Sequence, residues 1–252
     1  MRVLGRILIN ALAMALEIGM AVGIAVLAFR LPLMFAALTG IVALVMGARL
    51  ERARLINEIP FYFGVGAKRS SFMVTTVAAA EATIKAVIAG AVALITVSGT
   101  DQNRLYWVAI LFGVSVYIAS TVLRWIAIRL GAMPSRWGYF RMAAPFGLLF
   151  SVAMAGLTEA KILAPPTYTD LARRLVFDLP KKPNLAEASE MLFLLKQKVD
   201  ELVLSFLNVL LGPQAAPIIG LLLSVNALAG FLIAIYAAMI AELVLKLEDL
   251  GE

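Results

Sequence analysis

Glu17, Glu81 and Lys85 stand inside long apolar stretches of this 252-residue chain. A charged side chain at the centre of a bilayer costs about 2.5–3.5 kcal/mol on the most lenient scale. Each of the three therefore calls for a partner or a functional reason to be there. Glu81 and Lys85 lie four residues apart, on one face of a helix, and can pair with each other. A self-satisfied pair in a bundle interior and a polar pathway or gate are equally open readings for them. Glu17 has no partner within helical reach in sequence, which points to a functional or inter-helix role. Other chemistry is thin. Cysteine and histidine are absent, which excludes disulfides, thiolate or imidazole metal sites, and Cys or His nucleophiles. Ser151, Thr83 and Ser224 have no base beside them, so an intramembrane enzyme is the weakest reading.

The elements that must position these charges are membrane spans. Hydrophobic residues make up 62% of the chain and the mean hydropathy is +0.95, against about 45–50% apolar in soluble domains. A span needs about 20 apolar residues. Six stretches qualify: Ile7–Phe29, Leu31–Ala48, Phe72–Val97, Tyr106–Ile126, Met142–Leu157 and Ala216–Leu245. The expected fold class is therefore an all-α polytopic membrane protein forming a single transmembrane domain over residues 1–252. The formal net charge of +6 reads as membrane orientation rather than nucleic-acid binding, because Arg and Lys gather in short loops between spans.

Arg49, Arg52, Arg54, Lys68 and Arg69 fall between spans two and three. Arg129, Arg136 and Arg141 fall between spans four and five, with Arg124 at the edge. The other short loops hold only Arg30 and Arg104. The positive-inside rule places the Arg-rich loops and both termini in the cytoplasm. The N-terminus reads as a retained first span, because apolar sequence runs on past the cleavage-like Ala11–Ala13 to Phe29. The segment 158–214 then lies outside. Pro165-Pro166, Pro180 and Pro183 divide it, and Asn184 with Glu187 forms a capping box for a helix that stops at Gly212-Pro213. Lys196, Lys198, Asp200 and Glu201 in that helix favour a surface-lying or partly inserted element over a seventh span.

Leu50–Phe72 is the most informative loop. Leu50–Ile59 mixes charge with apolar residues at helical spacing. Pro60 is expected to interrupt it, and Phe61, Tyr62 and Phe63 suit the interface. Gly64 and Gly66 permit a tight turn. An ordinary positive-inside loop and a short cytoplasmic helix ready for a partner are both open.

Glu51-Arg52, then Ile59-Pro60-Phe61, then Gly64 through Lys68-Arg69-Ser70-Ser71-Phe72, resembles the segment after the second span of ABC-2 type permeases, the membrane subunits of many ABC exporters. Arg136-Trp137-Gly138 before span five is a second, weaker resemblance. The architecture is similar over most of the chain and the motifs over about 25 residues, while the outer segment is longer than a minimal member requires. The resemblance implies a permease subunit in the bacterial cytoplasmic membrane that pairs with a second permease chain and docks an ATP-binding subunit. The segment 49–71 becomes a coupling helix, with Leu55, Ile56 and Ile59 as anchors, Glu51, Arg52 and Glu58 as rim charges, and Lys68-Arg69 in the turn. It also places Gly19 and Gly23 near the contact between permease chains, although packing within one chain is an equal alternative. Gly66-Ala67-Lys68-Arg69-Ser70 is not a P-loop, lacking GxxxxGK[ST] and a preceding strand. The chain itself is thus expected to hold no cofactor, with ATP and magnesium in the partner. A non-ATP-driven scaffold or channel component of a larger envelope complex, docking through the outer segment, is the alternative.

Overall fold

The computed structural model describes residues 2–63, 71–97, 102–160, 162, 191, 195, 198–212, 216, 220 and 225–249. The described residues are all-helical, without strands. Four long helices come first: α1 (Arg2–Arg30), α2 (Pro32–Phe63), α3 (Ser71–Val97) and α4 (Gln102–Leu130). A short α5 (Pro134–Arg141) and α6 (Ala143–Glu159) follow, and after a 3₁₀ turn at Val225–Leu228 the last helix is α7 (Ala229–Asp249). Five of these helices are long and apolar enough to cross a membrane, six spans if the bent pair α5–α6 counts as one. The chain is thus an all-α protein with the helices of a multi-pass membrane protein.

The last helix is the axis of the bundle. Up to Ala241 it carries no charge on any side, and Leu232–Ala238 are all buried. A helix without a polar face is stable only where neighbours or lipid surround it. Here α4, α5, α6, α1, α3 and α2 all touch it. Rings fix the middle of the core: Phe35 stacks on Tyr236 at 5.9 Å, and Phe112 meets Phe35, Phe150 and Tyr236 edge to face. The Tyr236 hydroxyl is satisfied by Thr39 Oγ1 at 2.7 Å, which leaves no polar cost at that depth. The first helix presents Leu8, Leu12, Ile18, Val22 and Val26 outward. A bilayer solvates such a face where water would not.

Three boundaries differ from the sequence expectation. First, α2 does not stop near Ala48: it runs on as one helix through Pro60 to Phe63, spanning 32 residues, about 48 Å at 1.5 Å per residue. Proline costs a helix most in its interior. Pro60, in the last turn of α2, gives up the bond to the Ile56 carbonyl, and ion pairs described below hold the preceding turns. Among the described residues, 49–63 continue span two as one helix rather than forming a separate one. Second, the bend before span five falls at Met142, where α5 and α6 meet at 66°. Pro145 occupies the first turn of α6, where a backbone N–H has no helical partner to lose. Third, the final helix begins at Ala229 rather than Ala216, because the 3₁₀ turn intervenes. That turn passes close to α6: Gly147 touches the Ala227 carbonyl and Gly230, and a side chain at 147 or 230 would collide with backbone.

Residues 198–212 are helical and end at Gly212 with φ of 76°, as its position before Pro213 anticipates. Lys198 pairs with Glu201 at 3.0 Å. Leu204 and Leu207 approach Gly220, while Leu202, Phe206 and Val209 are exposed. The Asn184–Glu187 capping box and most of 158–214 lie outside the described residues.

Candidate functional site

The charges of the spans converge in two clusters. The first joins α2, α3 and α5. Glu51, Arg54 and Glu58 recur at i, i+3 and i+7 and so share one face of α2. Glu81 and Lys85 share one face of α3 by the same periodicity. Because the two helices run antiparallel, the acid–base order on one meets the base–acid order on the other. Lys85 Nζ pairs with Glu51 Oε1. Arg54 reaches Glu51 at 2.9 Å, Glu58 at 3.2 Å and Glu81 at 3.0 Å. Glu51 is completely buried, and a buried carboxylate is tolerable only when cations and donors surround it.

The short helix α5 supplies the third wall. The Lys85 ammonium sits 5.1 Å from the Tyr139 ring centroid and 5.5 Å from that of Phe140, and the Arg54 guanidinium lies 5.7 Å from Phe140. These cation–π contacts compensate ammonium and guanidinium where water is scarce. Tyr139 is admitted by Gly47: a Cβ there would lie 2.7 Å from the tyrosine oxygen. Gly138, the third residue of the Arg-Trp-Gly motif, presses α5 against the axis, since a Cβ would come within 2.7 Å of Ala238 Cβ. The Tyr139 hydroxyl is buried with no hydrogen-bond partner among the described residues.

The second cluster joins α1, α4 and α7. Arg124 donates to Glu17 at 2.7 Å and pairs with Glu248 at 3.1 Å, and Thr121 Oγ1 donates to Glu17 at 3.3 Å. Glu17 is only 2% exposed. Its partner is thus a residue that sequence reading counts as a loop-edge charge. Three helices are tied at one point by one guanidinium, whose fork can serve two carboxylates at once.

Several expectations change with this geometry. Glu81 and Lys85 do not satisfy each other within α3; each takes a partner on α2. Helical spacing detects neighbours along one helix and is blind to those across a hairpin. The mirrored acid–base order of Glu51/Arg54 and Glu81/Lys85 was the available signal. Glu51 is buried and engaged, so it does not offer a rim charge to another protein. Arg52 and Ile56 are exposed on α2, whereas Leu55, Glu58 and Ile59 are half-buried. Lys68, Arg69 and the Gly64–Ser70 turn lie outside the described residues, as do the side chains of Ser224 and Asn226. Gly19 and Gly23 are exposed, and a Cβ at either would meet nothing within 4 Å. Among the described residues they do not serve close packing within the chain. Ala21 and Ala25 do so, against Gly113 of α4.

Beside the first cluster, between the end of α2 and α5, opens a cleft of about 690 Å³ lined by Arg54, Glu58, Arg136, Trp137, Phe140 and Arg141. A smaller hollow of about 250 Å³ shares several of these residues and reaches Leu50, Ala53 and Asn57. No protein-family model, curated protein or solved structure matches the chain.

Proposed function

We propose that this chain is the permease subunit of an ATP-driven exporter similar to the ABC-2 type. ATP and magnesium are handled by a separate ATP-binding subunit, and a second permease chain completes the transporter in a bacterial cytoplasmic membrane. Both termini, the end of α2 and helix α5 face the cytoplasm in this reading. The observation that carries it is the ionic linkage of the α2 tail to the bundle through Arg54, Glu51, Glu81 and Lys85. A subunit pressing on the tail would meet Arg52, Ile56 and Phe61, which are exposed. The tail is continuous with a span and tied to α3, so its displacement would turn the α2–α3 hairpin as one body against α7. Apolar anchors with charged neighbours are the usual make-up of such contacts. The spans hold few charges, which favours an apolar or amphipathic cargo over a small ion.

A scaffold or channel component without ATP coupling is the second reading. The burial of Glu51 and the continuity of 49–63 with span two favour it. Affinity purification of the tagged chain in mild detergent, with mass spectrometry of its companions, separates the two. The permease reading expects a stoichiometric ATP-binding protein that is lost on Ile56→Glu together with Arg52→Glu. Envelope proteins without an ATPase, retained in that variant, would overturn it.

A further inference from the structure

The geometry points to the cleft between the α2 tail and α5 as a binding site for the phosphate headgroup of an anionic phospholipid. The inference rests on the chain's being a membrane protein with α5 on the cytoplasmic side, and not on the transporter reading. Four charged residues line the cleft: Arg54, Glu58, Arg136 and Arg141. Glu58 pairs with Arg54 at 3.2 Å, and Arg54 is already committed to Glu51 and Glu81 as well. Arg136 and Arg141 are exposed and make no ion pair among the described residues. Two guanidinium groups are thus left over, and phosphate oxygens suit their planar fork. The cleft volume of about 690 Å³ falls within the range of roughly 300–1,000 Å³ usual for small-ligand sites.

Lipid is favoured as the source of that phosphate by where the cleft sits. The helix α5 meets α6 at 66°, so if α6 crosses the bilayer, α5 lies nearer the membrane plane, at headgroup depth. Trp137 is exposed on it and Phe140 adjoins it, and aromatic side chains belong at that level. Basic pockets between membrane helices on the cytoplasmic side are built to take acidic headgroups. The platform is rigid, because Gly138 and Tyr139 pin the opposite face of α5 into the bundle. The Arg136-Trp137-Gly138 run thereby divides its work: glycine seats the helix, and arginine and tryptophan face the cleft.

The test uses the full chain in nanodiscs and in detergent. Wild-type protein, the double variant R136Q/R141Q and a charge-matched control, R49Q/R129Q, are compared for retention of phosphatidylglycerol against phosphatidylcholine by native mass spectrometry. Each cation near a membrane surface is worth about fivefold in binding, so the double variant is expected to lose roughly 25-fold of the preference. The control is expected to keep it. Thermal midpoints in phosphatidylcholine alone check that all three fold alike; should R136Q/R141Q fail there, R136K/R141K is used, expected to retain charge attraction but bind the headgroup more weakly. Equal preference for phosphatidylglycerol in wild type and the double variant would overturn the proposal. So would an equal stabilisation of wild type by inorganic phosphate, which would make the site one for a free anion. Loss of a co-purifying protein from the double variant with lipid retention intact would assign the cleft to protein docking instead.

Discussion

The two ion clusters use the same materials and arrange them differently. Around Arg124, one cation holds two carboxylates, and the three helices it joins meet at a single point. Around Glu51, two cations and three carboxylates spread over about two turns of α2 and the facing part of α3, and are roofed by Tyr139 and Phe140. The first arrangement is a clamp. The second is a ladder, with a buried foot at Glu51 and half-exposed upper members, Glu81 at 34% and Glu58 at 41%. A ladder of this kind ties successive turns of the α2 tail to α3, so that the two helices are linked along the hairpin. Burial, rather than the number of ion pairs, sets how much each member stabilises the fold.

The contrast can be broken most sharply at the foot. Glu51→Ala strands Lys85 and removes one of the Arg54 partners inside the bundle, and is expected to destabilise by about 3–5 kcal/mol. Reversible unfolding in mixed micelles measures it; a loss under 1 kcal/mol would show that the roof of aromatic rings suffices. Glu17→Ala comes next. Arg124 keeps Glu248, so the expected loss is that of hydrogen bonds to a charged group, about 1.5–3 kcal/mol, in the same assay. A larger loss than for Glu51→Ala would invert the account of the two clusters. Glu58→Gln is the smallest: its carboxylate is half-exposed and Arg54 keeps two other partners, so a change within about 1 kcal/mol is expected. Raising ionic strength should shrink the Glu58 effect further and leave the Glu51 effect in place.

The sequence made some of this legible. Apolar runs located α1, α3 and α4 closely, since a span is a composition signal summed over about 20 residues. The same summation hid the features that depend on single contacts. The α2 helix continues past Ala48 because its charged turns, which read as a loop, find partners on α3 and α5. The bend at Met142 has no proline behind it: Pro145 sits in the first turn of α6, where it disturbs little. The last helix starts at Ala229 after the 3₁₀ turn at Val225–Leu228, which an apolar run from Ala216 does not reveal. Glu17 was recognisable as needing a partner. That the partner is Arg124, 107 residues away, follows only from how α1 packs on α4. The small-residue spacing at Gly19 and Gly23 resembles a packing face, yet Ala21 and Ala25 make that contact within the chain.

The most direct test of the ladder is a distance distribution between spin labels at Ile56, on the α2 tail, and Leu130, at the end of α4, measured by pulsed electron resonance in nanodiscs. With Glu51 intact the account predicts one narrow distribution, because the tail is tied to the bundle. In Glu51→Gln, with the neutral side chain no longer holding Lys85 and Arg54, the distribution should broaden. A distribution equally narrow in both proteins would mean that the tail is held by packing alone, and the ionic coupling of α2 to the bundle would be wrong.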